Sequence, residues 1–195
     1  MIANTKGGYN DLKYPTKHNY KRTKEHQLWI SMLQRCMLGG KIQQKYPTYI
    51  GCTVSDNFRH YSYFYEWCNQ QIGFGLDGWT LDKDILYKGN KLYSEFTCCF
   101  VPSNINKLFV KGEGNRGLLP IGVTYHKLKK KYYAVCSRVG GKSSHIGSYN
   151  TPEDAFYAYK KVKEEHIKHM ADLYKDVIDS RVYEAMYCYE VEITD

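Results

Sequence analysis

Residues 122–159 constrain the fold more than any other part of this chain. One set of side chains, Tyr132, Ala134 and Cys136, alternates with a second set, Tyr133, Val135 and Ser137, which is the period of a strand with one buried face. A helix start follows, because Thr151 can cap a helix, Pro152 suits its first turn and Asp154 holds the capping-box position. An apolar stripe for a sheet to cover then recurs every three or four residues, at Ala155, Ala158, Tyr159, Val162, His166, Met170 and Leu173. We predict three short strands with tight turns, packed on one helix.

The same stretch carries a set of residues at characteristic spacing: Gly122, Val123, Ala134, Cys136, His145, Ile146, Gly147, Ser148, Tyr149, Thr151, Pro152, Glu153, Asp154, Ala155, Ala158 and Tyr159. This pattern resembles the plant ethylene-response-factor type of DNA-binding domain, which also occurs in phage integrases and homing nucleases. In that family a three-stranded sheet lies in the major groove and the helix packs behind it. By resemblance, the groove face would comprise Thr124, His126, Tyr133, Val135, Ser137, Ser143 and His145. The plant proteins hold arginines and tryptophans at several of these places, so the resemblance implies groove docking rather than a particular base sequence.

Positive charge lies beside this face. The chain has a net charge of +8, and residues 107–175 hold 14 Lys and Arg against 6 Asp and Glu. The cations next to the face are Lys127, Lys129, Lys130, Lys131, Arg138 and Lys142. Such clusters release counterions from phosphates and give salt-dependent affinity, so the predicted partner is double-stranded DNA. The alternative for the lysines is a solvated surface turn.

A second set of residues extends from Trp29 to Asn106. Its members are Trp29, Met32, Arg35, Cys36, Tyr46, Pro47, Tyr49, Gly51, Cys52, Val54, Phe64, Trp67, Leu81, Asp82, Lys83, Asp84, Ile85, Gly89, Asn90, Lys91, Tyr93, Ser94, Cys98 and Asn106. This order resembles phage proteins related to the His-Asn-His homing endonucleases, which have a ββα-metal nuclease fold. In that chemistry a histidine acts as general base, an asparagine orients it, and a divalent metal stabilises the leaving oxygen.

The chain departs from the nuclease pattern at two catalytic positions. Lys83 stands in the place of the histidine and Thr97 in the place of the asparagine. A lysine is ordinarily protonated at neutral pH and cannot take a proton from water. Asp82, Asp84 and Asn106 remain as candidate contacts for Mg²⁺ or Mn²⁺. The resemblance therefore implies a degenerate domain in which Asp82, Lys83, Thr97 and Asn106 are relic positions.

The predicted fold class is α+β, with a degenerate ββα-metal-like domain followed by a three-stranded antiparallel sheet packed on one helix. The predicted order is a basic arm at 1–24, the nuclease-like domain at 25–110, a linker at 111–119, the DNA-binding domain at 120–175 and an acidic segment at 176–195. We expect the arm to be loosely ordered and to contact the DNA backbone.

Three local features complete the predicted organisation. A helix is expected over residues 24–37, with Leu28, Met32 and Leu33 on one face. The acidic segment either shields the basic face or solubilises the chain. It forms either a short helix or an alternating strand, and the pattern does not separate the two. The helix would bury Val182, Ala185 and Met186, and the strand would alternate through Tyr187, Tyr189, Val191 and Ile193.

The seven cysteines contain no C-x-x-C pair and do not match common structural zinc motifs. We therefore expect buried free thiols rather than a disulfide framework or a zinc site. No signal peptide and no apolar run long enough to span a bilayer is present, so we expect an intracellular protein without a membrane partner.

Three hypotheses for function follow. The first is a phage-type DNA-binding protein that derives from a homing endonuclease and has lost nuclease activity. The second is an active metal-dependent nicking or homing endonuclease. The third is an anti-defence or other interaction protein that grips a host protein or its nucleic acid. Lys83 and Thr97 argue against the second hypothesis, and the lysines near residue 129 favour the first.

Overall fold

The computed structural model describes residues 3–5, 7–110, 117–137 and 143–195. They form two compact units. The first unit contains the described chain up to Ser103 together with Val177–Val182, and the second contains Asn104–Asp176 together with Tyr183–Asp195. This division differs from the predicted domain boundaries, because a short C-terminal segment belongs to the first unit.

The first unit is built from short elements around an aromatic core. They are β1 (Ala3–Thr5), β2 (Gly8–Asn10), β3 (Lys17–His18), β4 (Lys21–Arg22), α1 (Lys24–Arg35), α2 (Lys41–Lys45), a 3-10 turn (Pro47–Tyr49), β5 (Thr53–Val54), α3 (Asp56–Arg59), α4 (Tyr61–Gln70), β6 (Trp79–Asp82), β7 (Leu92–Tyr93) and β8 (Cys99–Pro102). The strands form four pairs, of which β1–β2, β3–β4 and β6–β8 are antiparallel and β5–β7 is parallel.

Helix α1 confirms the prediction of a helix after residue 23, although it ends two residues early, at Arg35. It begins where Thr23 Oγ1 accepts a hydrogen bond from the His26 main-chain N–H at 3.2 Å. Its buried face packs into the core of the first unit, where the indole N–H of Trp29 donates to the Phe58 carbonyl at 2.8 Å. This bond satisfies the one polar group of a side chain that is fully buried.

The described part of residues 1–24 is folded onto the first unit rather than loosely ordered. Gly8 lies so close to α1 that a Cβ atom there would stand 2.5 Å from the Trp29 ring. The Tyr14 ring stacks on Tyr65 with centroids 4.1 Å apart. Lys13 pairs with Glu66 at 2.6 Å. No periodic pattern indicates these contacts, because they join the segment to helices that are distant in the chain.

The second unit contains the predicted sheet and helix, so the α+β class is confirmed. Its elements are α5 (Ser103–Leu108, of which Ser103 belongs to the first unit), β9 (Val123–His126), β10 (Lys131–Ser137), β11 (Ser143–Tyr149), α6 (Pro152–Tyr174) and α7 (Ser180–Tyr187, which begins in the first unit). The strands form one antiparallel sheet in the order β11-β10-β9, and α6 packs against it.

Helix α6 starts as predicted, because Thr151 Oγ1 accepts a hydrogen bond from the Asp154 main-chain N–H at 3.1 Å. The buried stripe differs from the predicted one in its second half. Leu173 is exposed, whereas Ile167 is fully buried. The side chains of α6 that the fold buries are Ala155, Phe156, Tyr159, Ile167, Met170 and Ala171.

The C-terminal segment is a helix followed by an irregular tail, which decides between the two predicted conformations in favour of the helix. Val191 in the tail packs into the core between sheet and α6. Its main-chain N–H donates to Glu164 Oε1 at 2.8 Å, and its carbonyl accepts from the Lys160 ammonium at 2.7 Å. The acidic tail therefore contributes to the core of the second unit and is more than a solubilising end.

All seven cysteines are free, and five of them are buried. None of the helices in the described ranges combines the length and the apolar character needed to cross a bilayer.

Candidate nucleic-acid interface

The outward face of the sheet is set by strand register. Across the three strands Thr124, Tyr133 and Ser148 lie in one row, since Tyr133 pairs with both of the others. Val135 pairs with His145 in the next row. Side chains of directly paired residues point to the same side of a sheet, so these five share one face.

The inward face of the sheet is apolar and packs on α6. Val123, Ala134 and Cys136 are buried there against Ala155 and Tyr159. Because side chains alternate along a strand, this packing leaves the intervening residues of β10 on the side away from the helix. The sheet therefore presents one free face, and it is the face that the sequence predicted for DNA.

The outward face carries a row of three rings. Tyr133 lies between two histidines, with its ring centroid 4.9 Å from that of His126 and 4.7 Å from that of His145. Thr124 and Ser137 are exposed on the same face. Together they provide hydroxyl and imidazole groups that can donate to and accept from base edges or phosphates.

Ser148 belongs to this face and was missed by the sequence analysis. The register shifts between Ala134 and Val135, so that Ala134 pairs with Gly147 whereas Val135 pairs with His145. Ile146 is the extra residue of a β-bulge, and its side chain packs toward the core. The bulge reverses the alternation in β11 and brings Ser148 Oγ to 3.4 Å from His145 Nε2. A simple period of two would have placed Gly147 on the outward face.

We call residues 127–131 the lysine turn. They comprise the loop between β9 and β10 and Lys131, the first residue of β10. The ammonium groups of Lys127, Lys129 and Lys130 are exposed. In the described part of the chain none of them pairs with a carboxylate, and Lys131 donates to the Asn150 side chain. The loop is anchored at one point, where the Lys129 main-chain N–H donates to His126 Nδ1 at 3.2 Å.

Two predicted cations, Arg138 and Lys142, lie outside the described residues. Ser143 is the first residue of β11, and its backbone pairs with that of Ser137. The structure thus brings Thr124, His126, Tyr133, Val135, Ser137 and His145 onto one face, beside the lysine turn.

Asp82 and Lys83, two of the positions predicted from the nuclease resemblance, lie at the end of β6 in the first unit. β6 and β8 are antiparallel, with Asp82 opposite Cys99, and α5 follows β8 directly in the chain. Asn106 lies on α5 and belongs to the second unit, whereas Asp82 belongs to the first.

Lys83 is buried and is held by hydrogen bonds on its ammonium group. Its side chain is 7% exposed, and Nζ lies 3.0 Å from Asp84 Oδ2 and 2.8 Å from the Asn90 carbonyl oxygen, to which it donates. The ammonium also lies 5.8 Å from the centroid of the Tyr93 ring. A buried ammonium that donates to a carboxylate and a carbonyl is held in one position by its hydrogen bonds.

Thr97 has a structural role in the same loop. Its hydroxyl donates to the Leu92 carbonyl at 2.6 Å and lies 2.9 Å from Ser94 Oγ. The Ser94 main-chain N–H donates to the same Thr97 oxygen at 3.1 Å. These bonds close a tight turn and occupy the hydroxyl, so Thr97 does not orient a neighbouring base.

Asp82 is the one carboxyl of this region whose proton affinity the fold changes strongly. Burial, with the nearby Asp84 carboxylate as the second cause, raises the pKa of Asp82 to about 6. Asp82 Oδ1 also accepts hydrogen bonds from the main-chain N–H groups of Asp84 at 2.9 Å and Ile85 at 2.8 Å. These bonds lower the pKa, but burial outweighs them.

No cluster of three or more His, Cys, Asp or Glu side chains within the described ranges is arranged to hold a metal ion. Comparison with protein-family models, with curated proteins and with solved structures found no match for this chain.

Proposed function

We propose that this protein binds double-stranded DNA through the outward face of β9–β11, with the lysine turn on the phosphates. The observation that carries the proposal is the position of the lysine turn: the ammonium groups of Lys127, Lys129 and Lys130 are exposed, have no carboxylate partner among the described residues, and lie beside the outward face of the sheet. Cations without carboxylate partners attract phosphate, and a three-stranded sheet can enter a major groove, which admits β-elements.

The composition of the face supports a groove contact rather than a protein–protein interface. Interfaces between proteins are centred on large apolar side chains, whereas this face offers Thr124, Ser137, Ser148 and two histidines around a single tyrosine. Short hydroxyl side chains let the sheet approach the bases closely. Val135 is the one aliphatic group and suits the methyl group of thymine.

We further propose that the first unit descends from a His-Asn-His homing endonuclease and has no nuclease activity. Lys83 and Thr97 occupy the places of the general base and its orienting partner, and both are engaged in structural hydrogen bonds. Any Mg²⁺ or Mn²⁺ bound by Asp82 or Asp84 would then lack a base to activate water. From the phage resemblance we also propose that the protein acts in the cytoplasm of an infected bacterium.

The binding proposal is tested by a salt titration of duplex DNA binding with full-length protein. The variant Lys129→Ala/Lys130→Ala removes two phosphate contacts, so the slope of log affinity against log salt should become shallower by about 1.8, or about 0.9 for each contact. Affinity should fall about equally for all sequences. The matched control is Lys107→Ala/Lys161→Ala, which removes the same charge from exposed positions on helices. Equal slopes for the two double variants would refute the role of the lysine turn.

The nuclease proposal is tested by plasmid nicking with Mg²⁺ and with Mn²⁺. We expect no nicking by the wild type, because removal of a general base typically costs about 10²–10⁴ in rate. We expect weak nicking by Lys83→His, because this substitution returns a histidine to the relic position. Metal-dependent nicking by the wild type that is lost in Asp84→Ala would establish the endonuclease hypothesis instead.

A further inference from the structure

Arg35 at the end of α1 is a half-buried cation that has no carboxylate partner among the described residues. Its guanidinium carbon lies 5.2 Å from the centroid of the Tyr49 ring, and its Nη1 lies 3.4 Å from the hydroxyl oxygen of Tyr93. The other N–H groups of Arg35 have no acceptor among the described residues. A guanidinium has five donors in a planar fork, so most of the binding capacity of this side chain is unused within the fold.

Two lysines lie at the 3-10 turn Pro47–Tyr49, whose Tyr49 ring contacts Arg35: Lys91 bonds the turn, and Lys45 lies just before it in the chain. The Lys91 ammonium donates to the Thr48 carbonyl at 2.6 Å, and the Lys45 ammonium lies 5.2 Å from the centroid of the Tyr46 ring. Both lysines are exposed, and neither pairs with a carboxylate in the described part of the chain. We call Arg35, Lys45, Lys91 and this turn the Arg35 cluster.

The surroundings of the Arg35 cluster are depleted of negative charge. Residues 35–55 contain three cations and no carboxylate, and residues 85–94 contain two cations and no carboxylate. The parallel pairing of β5 with β7 brings these two segments side by side, with the Thr53 main-chain N–H donating to the Lys91 carbonyl at 2.8 Å. The carboxylate that precedes the second segment, Asp84, is already paired with a lysine.

Buried polar groups fix the Arg35 cluster in place. The Gln43 side chain is almost fully buried, and its Nε2 donates to the carbonyls of Arg35 at 3.0 Å and Tyr49 at 3.1 Å. Tyr93, whose hydroxyl meets Arg35, is 1% exposed. A site whose scaffold is rigid loses little conformational entropy when it binds a ligand, so these contacts favour binding.

We propose that the Arg35 cluster binds the phosphate groups of a nucleic-acid backbone and forms a second DNA contact, in the first unit. The planar guanidinium can hold one phosphate through two N–H groups, while the lysines act as point charges on neighbouring phosphates. Tyr46, which is 47% exposed beside Lys45, provides a ring against which a sugar or base can lie. The inference rests on the proposed DNA-binding function and adds a site that is separate from the sheet.

The test measures binding of the full-length protein to a labelled duplex over a salt titration, for three variants. Lys45→Ala/Lys91→Ala should make the salt slope shallower by about 1.8, and Arg35→Met by about 0.9, with roughly tenfold weaker binding at about 0.1 M salt for each contact removed. Methionine keeps a long apolar stem against Tyr49 and removes only the charge. The control Lys107→Ala/Lys161→Ala should leave the slope near that of the wild type. Thermal melting of each variant checks that it is folded. If Arg35→Met does not fold, the result for Lys45→Ala/Lys91→Ala decides the test.

The outcomes separate this inference from the proposed function. If Lys45→Ala/Lys91→Ala behaves like the control while Lys129→Ala/Lys130→Ala still lowers the slope, the Arg35 cluster is not a DNA contact and the sheet proposal stands. If only the Arg35 cluster variants lower the slope, the second site is supported and the sheet proposal is overturned. If the wild type binds no duplex at any salt concentration, both are overturned.

Discussion

Lys83 and Asn90 hold each other by reciprocal hydrogen bonds. The Lys83 ammonium donates to the Asn90 carbonyl at 2.8 Å, and Asn90 Nδ2 donates to the Lys83 carbonyl at 2.6 Å. Asn90 also bonds Leu92 twice, through Nδ2 to its carbonyl at 2.7 Å and through Oδ1 to its main-chain N–H at 3.0 Å. The pair therefore closes the loop between β6 and β7 and explains why a buried lysine is tolerated at this position.

This closure predicts that Asn90→Ala destabilises the first unit. The substitution removes three hydrogen bonds and leaves the Lys83 carbonyl without its partner, which should cost roughly 2–4 kcal/mol in free energy of unfolding. Urea denaturation measures the change. The control is Asn69→Ala, since Asn69 is exposed and its loss should cost less than about 1 kcal/mol. Equal effects of the two substitutions would show that the loop closure contributes nothing.

We predict that replacing Gly122 by any residue with a side chain destabilises the second unit. The φ of Gly122 is +75°, and a Cβ atom there would lie 2.2 Å from the Tyr159 ring on α6. Gly122→Ala therefore combines backbone strain with overpacking and should cost roughly 3 kcal/mol, measured as a loss of thermal stability. Gly117 has a φ of +63° but open space around it, so Gly117→Ala isolates the backbone strain and should cost about 1 kcal/mol. A Gly122→Ala variant no less stable than Gly117→Ala would contradict the observed packing.

The raised pKa of Asp82 predicts that the free energy of unfolding decreases as pH rises. The pKa of Asp82 in the folded chain is about 6, above the ordinary value of 3.8, so the folded state binds the proton more tightly than the unfolded state. The contribution of Asp82 is therefore largest below about pH 4, declines between about pH 4 and 6, and is lost above that range, a change on the order of 2 kcal/mol.

Asp82→Asn should remove this decline, because an amide oxygen can still accept from the two main-chain N–H groups but does not titrate. The measurement is the free energy of unfolding of variant and wild type at several pH values from about 4 to 7. The control is Asp176→Asn, at an exposed carboxyl. The prediction fails if the difference between Asp82→Asn and wild type is the same at every pH.

The burial of Val191 predicts that the stability of the sheet and helix depends on the acidic tail. Val191 is 3% exposed in the core of the second unit, so Val191→Ala should cost about 2 kcal/mol. Val177→Ala, at an exposed valine, should be nearly neutral. A fragment limited to residues 120–175 should melt at a lower temperature than one that extends to residue 195. An unchanged melting temperature would mean that the tail is dispensable.

The parts of the fold that sequence predicted are those governed by neighbouring residues. The start of α6 depends on Thr151, Pro152 and Asp154, which are adjacent in the chain, and the alternation of β10 depends on residues 132–137 alone. Propensity and capping act at this range, so a single sequence is enough to reveal them.

The parts that sequence did not predict depend on distant contacts. Val191 enters the core through bonds to Lys160 and Glu164, which lie 31 and 27 residues away. Ser148 reached the outward face because of a bulge at Ile146, which no periodic pattern indicates. The burial of Lys83 and its anchoring by Asn90 were not predicted, because both depend on the closed loop between β6 and β7.

The division of the chain between its units has a consequence for how such a protein can be assembled in evolution. The chain leaves the first unit after Ser103, returns at Val177 and leaves again after Val182. A recombination joint in the region before the sheet would transfer the sheet and helix to a new host protein, but it would also remove Val177–Val182 from the unit left behind. Ile178 and Val182 are buried, so the first unit would lose part of its interior. We therefore expect that separating the two units at this joint destabilises the first unit.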